Sequence, residues 1–252
     1  MASFHSDNLN LENIQGVILD KDGTITDSHI YWAKLISIRA NLIIEKYFLE
    51  HSYYDYLVKS MGLNKRTKRL LPQGPIAIKS KIEVIENLIN HLSKIFVKAT
   101  KEELLTIFKE ANKIFKPISK KYIYPLAQAI DFIKRIKKTE IKVSLVTSDT
   151  TENAINLMKL LKIEKYFDHI LGGDLNIGDK ITGQPALMAC KKMSLNPENV
   201  IAIGDAKMDF DMANNAGLKS SILVATGQTR IDLLKEFTPN SITSLGELSV
   251  NY

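Results

Sequence analysis

Asp20 and Asp22 stand two residues apart in the run Val17-Ile18-Leu19-Asp20-Lys21-Asp22-Gly23-Thr24. Two like charges this close are costly unless a cation or a proton compensates them. A second acidic pair, Asp205 and Asp209, lies in Gly204-Asp205-Ala206-Lys207-Met208-Asp209. If Asp209 opens a helix it falls about one turn beyond Asp205 and can face the same site. Carboxylates in such sets suit a hard divalent cation such as Mg²⁺, which takes oxygen ligands, keeps several waters and bridges to phosphate. Thr147 and Ser148, just before a helical pattern, offer hydroxyls and backbone N–H groups where an anion binds well. Each feature has a plainer alternative: a surface Asx turn for Asp20 to Gly23, a helix cap for Asp205, and another for Thr147 and Ser148.

The elements that must position these residues follow from periodicity. Val17-Ile18-Leu19 reads as the end of a buried strand, and Gly23 allows a sharp turn after it. From Pro125 onward strands and helices alternate: helix 126–137, strand 142–147, helix 151–161 with Asp149 and Glu152 as its cap pair, a short strand near 169–171, helix 185–193, strand 199–203, helix 209–216 and strand 220–225. Such alternation predicts an α/β fold with a doubly wound, mainly parallel, Rossmann-like sheet. Asp20/Asp22, Thr147/Ser148 and Asp205 then all sit at strand ends on one edge of that sheet, where they converge although far apart in the chain. Between them, residues 28–122 carry helical patterns only, at 30–49, 53–61, 64–71, 80–96 and 100–115, the last with Thr100-x-x-Glu103 as a capping box. The predicted organisation is a core of 1–27 with 123–252, interrupted by an all-helical insertion over 28–122.

Of the 252 residues, 45% are hydrophobic and 25% charged, an ordinary balance for a globular protein. The net charge of +6 is uneven: residues 28–122 carry 18 Lys and Arg against 8 Asp and Glu. A basic insertion beside an acidic remainder suits anions meeting a cation site, and solvated helix faces are the alternative. Lys65-Arg66-Thr67-Lys68-Arg69 would put four cations on one short helix, and Lys79 is a guess at a substrate contact. Trp32 reads as a packing anchor for the insertion. The single cysteine, Cys190, excludes an internal disulfide and reads as a packing residue. The first residues lack a basic and apolar leader pattern, and the most apolar helix candidate, 35–49, is interrupted by Arg39, Asn41, Glu45 and Lys46. Cytoplasm is the expected location. No P-loop, dinucleotide Gly motif or Cys/His cluster supports other enzyme classes.

Asp20-x-Asp22-Gly23-Thr24, Thr147 at the end of the second core strand and Gly204-Asp205-x-x-x-Asp209 together resemble the haloacid dehalogenase-like superfamily. The insertion after the first motif, and Asp209-Phe-Asp-Met-Ala-Asn-Asn-Ala-Gly217, resemble its phosphoglycolate-phosphatase-type branch, in which the insertion is a helical cap. The resemblance implies Asp20 as nucleophile forming an aspartyl-phosphate and Asp22 as general acid–base and carbonyl ligand. It makes Asp20 and Asp205 metal ligands with Asp209 assisting, and Thr147 a phosphoryl contact. It implies Mg²⁺ as cofactor, a small anionic phosphomonoester as substrate, a monomer or homodimer, and cap hinges near 27–28 and 123–124. One departure stands out. The family's Lys-Pro-x-Pro is matched here by Gly183-Gln184-Pro185-Ala186, so Gln184 stands in the lysine's place and Lys180 is the nearest substitute. The favoured reading is a Mg²⁺-dependent phosphatase. The alternatives are a sugar-phosphate mutase of the same fold and a weakened phosphate-binding or regulatory protein. A signalling receiver domain and a nucleic-acid binder are less favoured, and no membrane partner is expected.

Overall fold

Six parallel strands carry the molecule's chemistry, and their order follows from which residues alternate between two buried faces. The computed structural model describes residues 2–78 and 81–251. Across the sheet the strands run Ser241–Ile242, Ser220–Val224, Val200–Gly204, Gly16–Leu19, Lys142–Val146 and His169–Leu171, so the strand leading to Asp20 is central. Leu19 is in register with Ile203 on one side and Leu145 on the other. Val17, Leu19, Ile201, Ile203, Val143 and Leu145 belong to one hydrophobic cluster. Ile18, Val200, Ala202 and Val146 belong to another. This period of two, with both faces apolar, is what a sheet covered on both sides demands.

Helices supply the covers. Ala127–Ile136 and Thr151–Leu160 bury Ala129, Phe132, Ile133, Ile136, Ala154 and Met158 in the first cluster. Gln184–Met193 and Lys207–Asn215 bury Ala186, Ala189, Cys190, Met193, Met212 and Ala213 in the second. The sheet is therefore doubly wound, as the alternating pattern predicts. Cys190 is one of these packing residues, and burial pushes its thiol up to about 11, which leaves it poorly nucleophilic. The helix after Thr147 is capped differently from expectation. Thr150 accepts from the Asn153 amide at 3.3 Å, because a threonine directly before the first turn reaches that donor. Asp149 is thereby free for another partner.

Two parts of the core carried no strong sequence pattern. Ala2–Ser6 pairs antiparallel with Leu9–Ile14 and with Ser249–Asn251 from the far end of the chain. The two-residue strand Ser241–Ile242 closes one edge of the main sheet.

By its internal contacts the chain divides into Met1–Asp27 with Pro125–Tyr252, and Ser28–Tyr124. The second unit contains the helices Ser28–Lys46, Tyr54–Ser60, Pro75–Ile78, Lys81–Ser93 and Lys101–Phe115 around Ile36, Ile43, Leu57, Leu88, Leu104 and Phe108. Thr100 and Glu103 form the expected capping box. Trp32 packs against this core, with the Arg39 guanidinium 5.8 Å from its ring.

The unit is not wholly helical. In place of a helix over 64–71, Leu63–Asn64 and Arg69–Leu70 form a small hairpin. The Asn64 carboxamide accepts from the amides of Arg66 and Thr67, and Lys68 turns the chain at a φ of 55°. That local capture of backbone N–H groups outcompetes the helix propensity of the Lys/Arg run. The four cations thus lie exposed along this hairpin, where Lys65 pairs with Asp55 at 2.6 Å. Lys79 lies outside the described residues. Among the described residues, no helix is long and apolar enough to cross a membrane.

Candidate active site

The central strand ends at Leu19, and the next residue inherits its position. The Asp20 amide donates to the Ile203 carbonyl at 2.9 Å, so Asp20 is fixed at the carboxyl edge beside the strand that ends in Gly204 and Asp205. Asp20, Asp205 and Asp209 are all buried there, and one carboxylate oxygen from each lies within 4.8 Å of the others. Glycines create the room. A Cβ at Gly204 would fall 2.0 Å from Asp209 Cγ, and one at Gly227 would fall 1.6 Å from Asp205 Oδ2. Gly23, at a φ of 86°, turns the chain back under the same carboxylate. Asp209 sits in the first turn of Lys207–Asn215 and accepts from the Ala206 amide at 3.1 Å, while Asp205 accepts from the Gln228 amide at 3.2 Å.

Lys180 completes the cluster. Its Nζ lies 2.5 Å from Asp20 Oδ1 and 2.6 Å from Asp209 Oδ1, and its side chain is only 4% exposed. A short turn, Lys180–Thr182, holds it, closed by Gly183 at a φ of 78°. Gln184 is exposed at the start of the following helix. The structure therefore brings Lys180 to the acidic cluster.

Electrostatics follow from the crowding. Burial pushes the Asp20 carboxyl up to about 6; Lys180 pulls it down, and Asp209 and Asp22 push it further up. Burial also raises Asp205 well above the ordinary carboxylate range, helped by Asp20 and Asp209 and opposed by the Gln228 N–H and Lys180. For Lys180, burial favours the neutral amine, but Asp20 and Asp209 outweigh it and hold the ammonium charged. With all three carboxyls ionised, three carboxylates and one ammonium leave two negative charges in a buried cluster. A divalent cation with oxygen preference balances that deficit, so the donor set fits Mg²⁺.

Asp22 stands apart from this cluster. Its side chain is 46% exposed, with Oδ2 2.8 Å from Lys21 Nζ and Oδ1 accepting from the Thr26 hydroxyl at 3.4 Å. Thr147 is buried at the end of Lys142–Val146 and accepts from the Asp149 amide at 3.2 Å, which leaves its hydroxyl hydrogen to donate elsewhere. Two neighbours carried no motif signal. Lys21 is buried and bridges Asp22 to Asp149, at 3.1 Å from the latter. Burial works against the Lys21 charge, but Asp22 and Asp149 hold it above its ordinary value. Asp149 is held below its ordinary range because Lys21, Asn153 and the Thr150 amide outweigh its burial. A lysine between two aspartates at a strand end was the only hint available.

The family model of haloacid dehalogenase-like hydrolases matches residues 14–217. The chain belongs to this family. The haloacid dehalogenase-like hydrolases similar to it include the phosphoglycolate phosphatase of Aquifex aeolicus, 23% identical over 94% of this chain and 97% of that protein. The phosphorylated carbohydrates phosphatase of Thermotoga maritima is 24% identical over 82% and 83% respectively. Among solved structures, β-phosphoglucomutase from Clostridium difficile aligns over 93% of this chain and 92% of that one, with a TM-score of 0.61 and 23% identity. Such a likeness establishes a shared fold.

Proposed function

We propose that this member of the family is a Mg²⁺-dependent phosphatase that hydrolyses a small phosphomonoester through an aspartyl-phosphate on Asp20. The observation that carries the reading is the buried contact of Lys180 with both Asp20 and Asp209, beside Asp205, at the carboxyl edge of the sheet. Bound by Asp20, Asp205 and Asp209, with the Asp22 carbonyl assisting, Mg²⁺ would neutralise charge on the phosphoryl group. The remaining roles belong to the chain itself. The Asp20 carboxylate attacks phosphorus and the ester oxygen departs, taking a proton from Asp22. Asp22 then accepts a proton from water as the water attacks the aspartyl-phosphate, which returns Asp20 and releases phosphate. Lys180 keeps Asp20 ionised and ready, and the Thr147 hydroxyl donates to a phosphoryl oxygen.

The half-exposed Asp22 suits a group that exchanges protons with substrate and water, whereas the enclosed Asp20 suits a nucleophile shielded from them. The phosphoglycolate and phosphorylated-carbohydrate phosphatases among the relatives support a small anionic phosphorylated substrate. The contact of Lys180 with Asp20 supplies a cation there despite Gln184, which favours the phosphatase reading over a weakened binding protein.

The test is phosphate release from a panel of phosphomonoesters, with and without Mg²⁺, with sugar-phosphate products also examined for isomerisation. Metal-dependent free phosphate is expected. An isomerised product without net phosphate release would instead assign a mutase, and no turnover in either form would refute both.

A further inference from the structure

Two phenylalanines of the unit Ser28–Tyr124 are placed where a monomer gains nothing from them. Phe48 follows the helix Ser28–Lys46 and Phe96 follows Lys81–Ser93, and each is 96% exposed. Both occupy the left-handed region, at φ 51° and 62°. The local hydrogen bonds match in the two places. Phe48 N–H donates to the Glu45 carbonyl and Leu49 N–H to Ile44; Phe96 N–H donates to Ser93 and Val97 N–H to Leu92. This is a helix-ending turn whose left-handed position normally belongs to glycine. A bulky side chain there is strained, and an exposed ring leaves its apolar surface in water.

The two rings share one end of the unit. Glu103 accepts from the Tyr47 hydroxyl at 3.2 Å and from the Thr100 amide at 3.0 Å, which ties the residue before Phe48 to the segment after Phe96. Tyr47, Leu49, Ile95, Val97 and Ala99 all pack on the same core. The charges around the rings are opposite. Glu45 and Glu50 flank Phe48, whose neighbour Lys46 is drawn to Glu103 at 3.7 Å. Lys94 and Lys98 flank Phe96, with no carboxylate between Ser93 and Thr100. Among the described residues, Glu45, Lys94 and Lys98 have no ion-pair partner.

We propose that this end of the unit is a self-association surface for a second copy of the same chain. In a two-fold dimer the acidic Phe48 turn of one copy meets the basic Phe96 turn of its partner, and the symmetry repeats the contact, which makes the patch self-complementary. Four buried rings, at roughly 150–250 Å² each, supply about 600–1,000 Å², below the span of stable specific interfaces and in that of weak, transient ones. The dimer is therefore concentration-dependent. None of the candidate catalytic residues lies in this surface, so the inference stands or falls apart from the proposed reaction.

Sedimentation velocity of the full chain from low to high micromolar concentration tests it. Wild type is expected to dimerise on concentration and dissociate on dilution. Phe48→Gly and Phe96→Gly should each weaken the dimer at least about tenfold. At a dilution where wild type is monomeric, each should also keep or raise the melting temperature, because glycine suits the left-handed turn. Glu45→Lys with Glu50→Lys should weaken association, and adding Lys94→Glu with Lys98→Glu should restore it. A wild type that stays monomeric throughout, or a dimer indifferent to both glycine variants, would overturn the proposal. So would a fall in monomer melting temperature in both glycine variants, which would make the rings fold-stabilising. Binding to anionic vesicles that the glycine variants lose, without self-association, would assign the surface to lipid instead.

Discussion

At the scale of residues, the site is decided by how four ionisable groups share one buried cluster. Lys180 is the only cation the described structure places against Asp20 and Asp209. Lys180→Met should destabilise the metal-free protein near neutral pH by about 3–5 kcal/mol, the range for stripping one partner from a buried pair. Urea denaturation would measure it, and acidification should lessen the loss by protonating the carboxylates left behind. Asp20 contributes to the pH dependence together with Asp205, which burial raises in the same direction. The folded value of Asp20, about 6, lies above the ordinary 3.8, so the metal-free native state binds more protons than the unfolded chain. The stability this carboxyl contributes is full below its unfolded value and is lost as pH rises through about 6. Mg²⁺ requires the carboxylate, so binding releases protons at the acid end of that window. The melting-temperature rise on adding Mg²⁺ should therefore be larger at about pH 7.5 than at about pH 5. An equal or larger rise at the lower pH would contradict a metal held by Asp20.

Elements bring these residues within reach, and they do so through short, tightly approached turns. Gly227 lies so close to Asp205 that a methyl group there must displace the carboxylate. Gly227→Ala should leave the fold intact by circular dichroism and abolish most of the Mg²⁺-dependent thermal shift; a full shift would show the close approach to be dispensable. Much of this level was legible. Val17-Ile18-Leu19 and Asn199-Val-Ile-Ala-Ile203 announce strands because both faces of the sheet are buried, and Thr100 with Glu103 announces its helix through local chemistry alone. Legibility failed where the deciding partner was elsewhere. Lys180 meets Asp20 across 160 residues, a contact that no local pattern around Lys180 displays. Over 64–70 the helix propensity of Lys and Arg yields to the side chain of a single residue, Asn64. Ala2–Ser6 is a strand because Ser249–Asn251 arrives beside it, which no window of sequence can contain.

At the scale of the whole molecule, the parallel order of the six strands explains why one edge collects residues 20, 147 and 205, while the first turn of the helix Lys207–Asn215 and the Lys180 turn bring Asp209 and Lys180 to Asp20. The same topology allows the insertion Ser28–Tyr124 to leave directly after the first motif and return before the strand Lys142–Val146. The charge division, +10 over 28–122 against −4 elsewhere, accords with an anionic substrate drawn toward a cation-binding core. The most direct measurement is phosphate release by the intact chain with Mg²⁺, wild type against Asp20→Asn, on the best substrate of the panel. The account predicts a loss of at least about a thousandfold in kcat for Asp20→Asn with its melting temperature preserved. Phosphate release by Asp20→Asn within about tenfold of wild type would contradict Asp20 as the nucleophile.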